Sequence, residues 1–298
     1  MGPAATLESM SRFRAVFLGQ KPVGEAAWDR LRDLGQPELE VAAVCSNADP
    51  LRPWWRSARV YETRGDTVFI DNRSRNTEEL ARVIDELGIN LILSVQHPWI
   101  LEPEILGRVD YALNLHSAKL PAYRGFNAVN HAILNGDRTF TCTAHHMAEA
   151  VDAGDVAFEC LFALDPVDTA LSLYAKCHHA TLALFDEILH RLVEGLPIPR
   201  RPLVGEEHFY PRGSIEALRR VERPETDELE RKARAFYFPP FEPAFVAVGT
   251  RKLYVLPEPA LDTAHRRESR ALLDRTIEAS GGALGFRFEP EPAHPSRR

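Results

Sequence analysis

Asn114 and His116 stand two positions apart in Tyr111-Ala112-Leu113-Asn114-Leu115-His116, and Asp152 follows in Val151-Asp152-Ala153-Gly154-Asp155. Alternate residues of a strand share a face, so an amide and an imidazole leave this one together. The three side chains suit acyl transfer. The Asn114 amide N–H can donate to an oxyanion, and His116 can donate to it or carry a proton. Asp152 can orient the imidazole, stabilise its charged form or take the proton released by an attacking amine. No serine or cysteine is placed as an obvious nucleophile, which favours direct attack by the substrate.

The pattern around these residues predicts a buried strand over 111–116 and an irregular segment over 117–125, which carries Pro121 and Gly125. A short helix over 127–135 closed by Gly136 comes next, then a second strand over 139–147. The turn after it puts Asp152 beside Gly154, where backbone can approach a ligand closely. Upstream, strands are expected over 13–18, 41–45, 68–70 and 90–95, with helices over 25–34 and 77–87. Strands alternating with helices predict an open, mostly parallel sheet, whose ligands lie outside the carboxyl ends of the strands. The glycines after the first strand match neither Gly-x-Gly-x-x-Gly nor a Gly-Lys-Ser/Thr ending, so they read as a tight turn. A long helix over 169–192 covers the sheet, and the Pro- and Arg-rich segment 197–202 reads as a linker. Beyond it a helix over 229–237, a hairpin over 246–256 around Gly249-Thr250 and a terminal helix over 261–279 are expected.

At these residues the chain resembles the formyltransferases that use 10-formyltetrahydrofolate, and in type the sugar N-formyltransferases most. The resemblance rests on Asn114-Leu115-His116, Leu120-Pro121-Ala122-Tyr123-Arg124-Gly125, Leu134-Asn135-Gly136-Asp137 and Val151-Asp152-Ala153-Gly154-Asp155. It departs at Ala118, where many members carry serine. The resemblance implies an α/β fold, a Rossmann-like domain with a mostly parallel sheet over 13–203. A small C-terminal β-containing subdomain over 204–289 follows, with a leader over 1–12 and a disordered tail over 290–298. It makes Asn114, His116 and Asp152 the catalytic trio. The co-substrate would be held by Gln96, Trp99, Ile100 and Leu101, with backbone near Trp99 and Leu101 bonding the pterin, and by His145 and Asp152.

For the acceptor, the segment 46–66 offers Trp54, Trp55 and Arg56, which either grip a sugar or phosphate group or pack the loop onto the sheet. Lys119, Tyr123 and Arg124 line the loop after His116, and Phe236 either borders the acceptor or packs inside. The amine is expected on a nucleotide-linked amino sugar. Hydroxyornithine as acceptor, and a folate sensor without turnover, are the alternatives.

The chain of 298 residues carries a formal net charge of -7, which argues against a nucleic-acid surface. Its four cysteines show no Cys-x-x-Cys spacing and read as reduced core residues. Without a run of about 18 apolar residues no membrane span is expected, and cytoplasm is the default. Adjacent His145 and His146, His178 and His179, and the pair Glu187 and His190 lack a complementary ligand cluster, so no metal is expected. A homodimer is compatible with this reading.

Overall fold

The computed structural model describes residues 12–46, 65–72, 75–260 and 287–288. They fall into two compact units, the chain up to 114 with 186–198, and 115–185 with the chain from 199 onward.

The first unit holds β1 (Phe13–Gly19), α1 (Lys21–Leu34), β2 (Leu39–Ser46), β3 (Val68–Asp71), α2 (Thr77–Leu87), β4 (Leu91–Val95), α3 (Pro103–Leu106) and the start of β5 (Tyr111–His116). Its strand order is β3-β2-β1-β4-β5. β1 runs parallel to both β2 and β4, and β2 parallel to β3. Strands covered on both faces read as unbroken apolar runs, and Ala15, Val16, Phe17, Leu18, Leu91, Ile92 and Leu93 are fully buried. The chain order reverses between β1 and β4, and the ends of those strands meet in a hydrogen bond from Lys21 Nζ to Gln96 Oε1 of 2.9 Å.

α2 keeps its expected bounds, closed by Gly88 in the left-handed region at φ 60. α1 starts four residues before the expected 25, because Gln20 is extended as its N-cap and Pro22 lies in the first turn, where its missing N–H costs nothing. Gly24 is therefore inside the helix rather than in a turn.

That early start buries Glu25, which is 4% exposed with Oε1 lacking a hydrogen-bond partner. Burial first, and Asp29 second, push its carboxyl up to about 8. The folded state keeps a proton that the unfolded chain releases near pH 4.5, so stability falls as pH rises from there through about 8. Glu25→Gln should therefore melt close to wild type at pH 4.5 and above it at pH 8.5, by a difference on the order of 3 kcal/mol. Equal gaps in Tm at both pH values would remove this account.

The second unit holds the end of β5, β6 (Arg124–Gly125), α4 (Ala128–Asn135), β7 (Thr139–His146), β8 (Val156–Ala163) and α5 (Ala170–Glu194), the last turns of which belong to the first unit. After these come β9 (Phe209–Tyr210), α6 (Asp227–Ala235), β10 (Ala244–Val248), β11 (Arg251–Val255) and β12 (Arg287–Phe288). Its strand order is β5-β7-β8-β12, with β7 to β8 and β8 to β12 antiparallel. The expected mostly parallel sheet is present, with antiparallel pairs at β7–β8 and β8–β12, and β8 is a strand the sequence reading lacked. The segment expected as a linker is docked. Arg201 exchanges backbone hydrogen bonds with Val156 at 2.8 and 2.9 Å, and the His146 Nε2–H donates to the Pro199 carbonyl at 2.8 Å.

The hairpin β10–β11 turns at Gly249, φ 59, and α6 is capped by Thr226, whose side chain accepts from Glu228 N at 3.3 Å. All four cysteines are free and buried. Among the described residues no helix is long and apolar enough to cross a membrane. The leader, the helix expected over 261–279 and the tail over 290–298 lie outside the described residues.

Candidate active site

β5 delivers Asn114 and His116 on one face, as its alternation requires. Asn114 is oriented by a residue of β4 that sequence reasoning missed. Ser94 Oγ donates to Asn114 Oδ1 at 2.9 Å, so the amide oxygen is engaged and the N–H2 edge is turned the other way. A serine inside Leu91-Ile92-Leu93-Ser94-Val95 is the one polar residue of a fully buried strand, and that was its signal.

His116 follows two residues later, its Nε2 lying 2.8 Å from the Tyr123 carbonyl. A carbonyl only accepts, so Nε2 carries hydrogen. The other nitrogen, Nδ1, faces Asp152 Oδ2 at 3.6 Å. The loop between β5 and β6 therefore serves the histidine through backbone. Tyr123, expected at the acceptor, is buried with its hydroxyl donating to Asp137 Oδ2 at 2.5 Å and accepting from Asn135 Nδ2 at 3.0 Å. Its carbonyl, not its ring, reaches the site.

Asp152 sits in the turn between β7 and β8 at φ 51, a left-handed conformation that aspartate tolerates better than most residues. Its Oδ2 accepts from Gly125 N at 3.0 Å, and its Oδ1 lies 3.6 Å from His145 Nε2. At 3.6 Å both contacts to the carboxylate are longer than an ordinary hydrogen bond. Burial alone would raise this carboxyl. The opposing pull of His116, of His145 and of the Gly125 N–H outweighs it and holds Asp152 well below the usual carboxylate range. It is an anion throughout the neutral range.

Two glycines make this geometry, each by absence of a side chain. A Cβ on Gly125, at φ +91, would stand 2.4 Å from the Tyr210 carbonyl oxygen. A Cβ on Gly154 would stand 1.7 Å from the His146 carbonyl oxygen. The space at Gly154 is thus taken by the end of β7 and not, as expected, by a ligand.

His145 and His146 leave β7 on opposite sides, the first toward Asp152 and the second, its ring proton affinity lowered by burial, toward Pro199. Arg124 bonds the Val151 carbonyl through Nε at 2.9 Å and Glu207 through Nη1 at 2.9 Å, bracing the Asp152 turn. Lys119 is exposed. Phe236 is buried, with the Arg219 guanidinium 5.8 Å from its ring centre, so of its two readings packing is what the contacts describe.

In the first unit Gln96 adopts φ 62 after β4, and Trp99 and Ile100 are exposed while Leu101 is buried. The Trp99 indole donates to the Asn72 carbonyl at 2.7 Å beside a recess also lined by Arg75, His97 and Leu101. Burial pushes the His97 ring down to about 4, so it is neutral there. Trp54, Trp55 and Arg56 lie outside the described residues. Among the described residues no group of three or more His, Cys, Asp or Glu is arranged to hold a metal ion.

Similar folds carry the same arrangement of elements. A 4-N formyltransferase from Francisella tularensis is 14% identical, with 83% of this chain and 98% of that one aligned at a TM-score of 0.68. An N-formyltransferase from Helicobacter canadensis, solved with folinic acid and dTDP-3-aminofucose, is 17% identical over 81% of this chain and 86% of that one, TM-score 0.64. HypX from Aquifex aeolicus, solved with tetrahydrofolic acid, is 20% identical over 83% of this chain and 38% of that one, TM-score 0.59. The family model described as formyl transferase matches residues 13–189, which include β1, the Asn114–His116 strand and the Asp152 turn. With more than half of its length matched by that model, the chain belongs to the formyl transferase family.

Proposed function

We propose that this enzyme moves the formyl group of 10-formyltetrahydrofolate to the primary amine of a nucleotide-linked amino sugar. The observation that carries the reading is the half-buried Asp152 anion lying 3.6 Å from each of two imidazoles, with an oriented asparagine amide upstream on the His116 strand. Asn114 donates to the oxygen that becomes negative as the amine attacks the formyl carbon. Asp152 either stabilises the imidazolium that His116 forms during transfer or receives the proton the amine releases through water. An acceptor amine with a pKa near 7.7 to 8.0, roughly that of an α-amino group, is partly neutral at pH 7, so the site supplies mainly position and charge. Gln96, Trp99, Ile100 and Leu101 would hold the folate, and Lys119 and Arg124 would stand near the acceptor.

The acceptor class is supported by the Helicobacter relative, which was solved with folinic acid and a dTDP-linked amino sugar. The test is incubation with 10-formyltetrahydrofolate and a panel of dTDP-, GDP- and UDP-linked amino sugars beside hydroxyornithine, with formylated product read by mass. Product from at least one amino-sugar nucleotide is expected. Product from hydroxyornithine alone would replace the acceptor, and folate binding without tetrahydrofolate release would make the protein a sensor.

A further inference from the structure

We propose that Arg212, seated on the exposed ring of Phe126, binds the diphosphate of the acceptor. This rests on the acceptor reading above and assigns two residues to it.

The pair is built by the short ladder between β6 and β9. Arg124 N donates to the His208 carbonyl at 3.0 Å and Phe126 N to the Tyr210 carbonyl at 2.8 Å, so the two backbones are locked side by side. Phe126 leaves β6 at its end, and Arg212 follows β9 by two residues. Their side chains meet with the guanidinium carbon 4.4 Å from the ring centre. A guanidinium lying on an aromatic face keeps its five N–H donors in a fixed fork.

That fork is uncommitted. Arg212 is exposed and, among the described residues, makes neither an ion pair nor a hydrogen bond. Several other arginines of the unit are engaged, although Arg138, Arg200, Arg231 and Arg251 are, like Arg212, without an ion-pair or side-chain hydrogen-bond partner among the described residues. Arg124 pairs with Glu207, Arg201 with Glu159, Arg219 with Glu216 and Arg234 with Glu230. What sets Arg212 apart is its seat on an aromatic ring, from which an exposed guanidinium can pair with an anion through two parallel N–H···O bonds. Phe126 is itself 39% exposed, which costs hydrophobic burial and gives the platform its open side.

The position fits an acceptor held by its far end. The amide of Gly125, one Cα step or about 3.8 Å before Phe126, is the group that holds Asp152 Oδ2. In a sugar nucleotide the diphosphate is on C1 and the reacting amine on another carbon of the same pyranose ring. Fixing the diphosphate places the amine without touching it, which is how remote binding energy is turned into orientation. Two phosphate oxygens match the planar fork of arginine, and an ammonium does not reproduce that match.

The experiment measures equilibrium binding of dTDP, UDP and GDP, of the matching nucleosides, and of 5-formyltetrahydrofolate, to wild type, Arg212→Ala, Arg212→Lys and Phe126→Leu. At least one diphosphate should bind wild type and lose roughly 10- to 100-fold in Arg212→Ala. Arg212→Lys and Phe126→Leu should fall in between, with nucleoside and folate affinities unchanged. Diphosphate binding that is equal in wild type and Arg212→Ala overturns the assignment while leaving formyl transfer to a nucleotide-linked amine intact. If no diphosphate binds wild type although folate does, both the assignment and the nucleotide-linked acceptor are lost. A drop in folate affinity together with diphosphate affinity would mark Arg212 as merely structural.

Discussion

Asp152→Asn is expected to lower kcat about 10³-fold while leaving the affinity for 5-formyltetrahydrofolate within a few-fold of wild type. The substitution keeps shape and an oxygen for the Gly125 N–H, so the turn has no steric reason to move. What it removes is the negative charge that faces His116 and His145 at 3.6 Å each. On the proposed mechanism, the step then lacks either the charge that stabilises a forming imidazolium or the group that takes the amine's proton. Single-turnover formyl transfer isolates the step. Turnover within tenfold of wild type would show that the carboxylate does not take part in proton transfer. Because Asp152 is held below the usual carboxylate range, its protonation should also not shape the activity profile of the wild type above about pH 4.

Gly154→Ala should be the most damaging of the glycine-to-alanine changes whose Cβ contacts are described. The new Cβ would stand 1.7 Å from the His146 carbonyl oxygen, a backbone atom of β7 that cannot rotate away. The turn over 147–155 must shift, and Asp152 is in it. A loss of about 4 kcal/mol or more is the scale for such an overlap, enough to lower Tm by roughly 10 °C in a chain of this size. Whatever remains folded should have little activity. Gly249→Ala supplies the contrast, since nothing lies within 4 Å of its Cβ and only its φ of +59 is unfavourable. It should cost about 1 kcal/mol. Thermal unfolding of both variants checks the order, and a Gly154→Ala protein with wild-type Tm and turnover would refute the packing argument.

The placement of Asn114 and His116 was legible because strand alternation is a short-range rule. Two residues apart on β5 is enough to pair Asn114 with His116, and the glycines around Asp152 announce a turn. What surrounds the trio was less legible, for reasons of distance along the chain. Ser94 and Asn114 are 20 residues apart, and a serine in an apolar strand gives no hint of which neighbouring strand it will meet. Tyr123 drew attention as a side chain, whereas the site uses its carbonyl, which no residue type encodes. Gly154 was recognised as a place of close approach, but the approaching group is the protein's own β7. β8 was overlooked although its residues are apolar, because the turn before it holds so much chemistry that the segment after it read as sequel. Phe236 shows the limit of composition, since an aromatic before a proline-rich turn is equally at home inside or outside.

The two-residue ladder of β6 and β9 ties the Asp152 turn to a segment that lies beyond the matched family region. Gly125 keeps its conformation against the Tyr210 carbonyl, and its amide in turn aims the Asp152 carboxylate. A protein cut after α5 would retain every residue that marks the lineage and still be a poor catalyst. Exchanging the region from 199 onward should therefore alter kcat through the Gly125 support alone, whatever the acceptor.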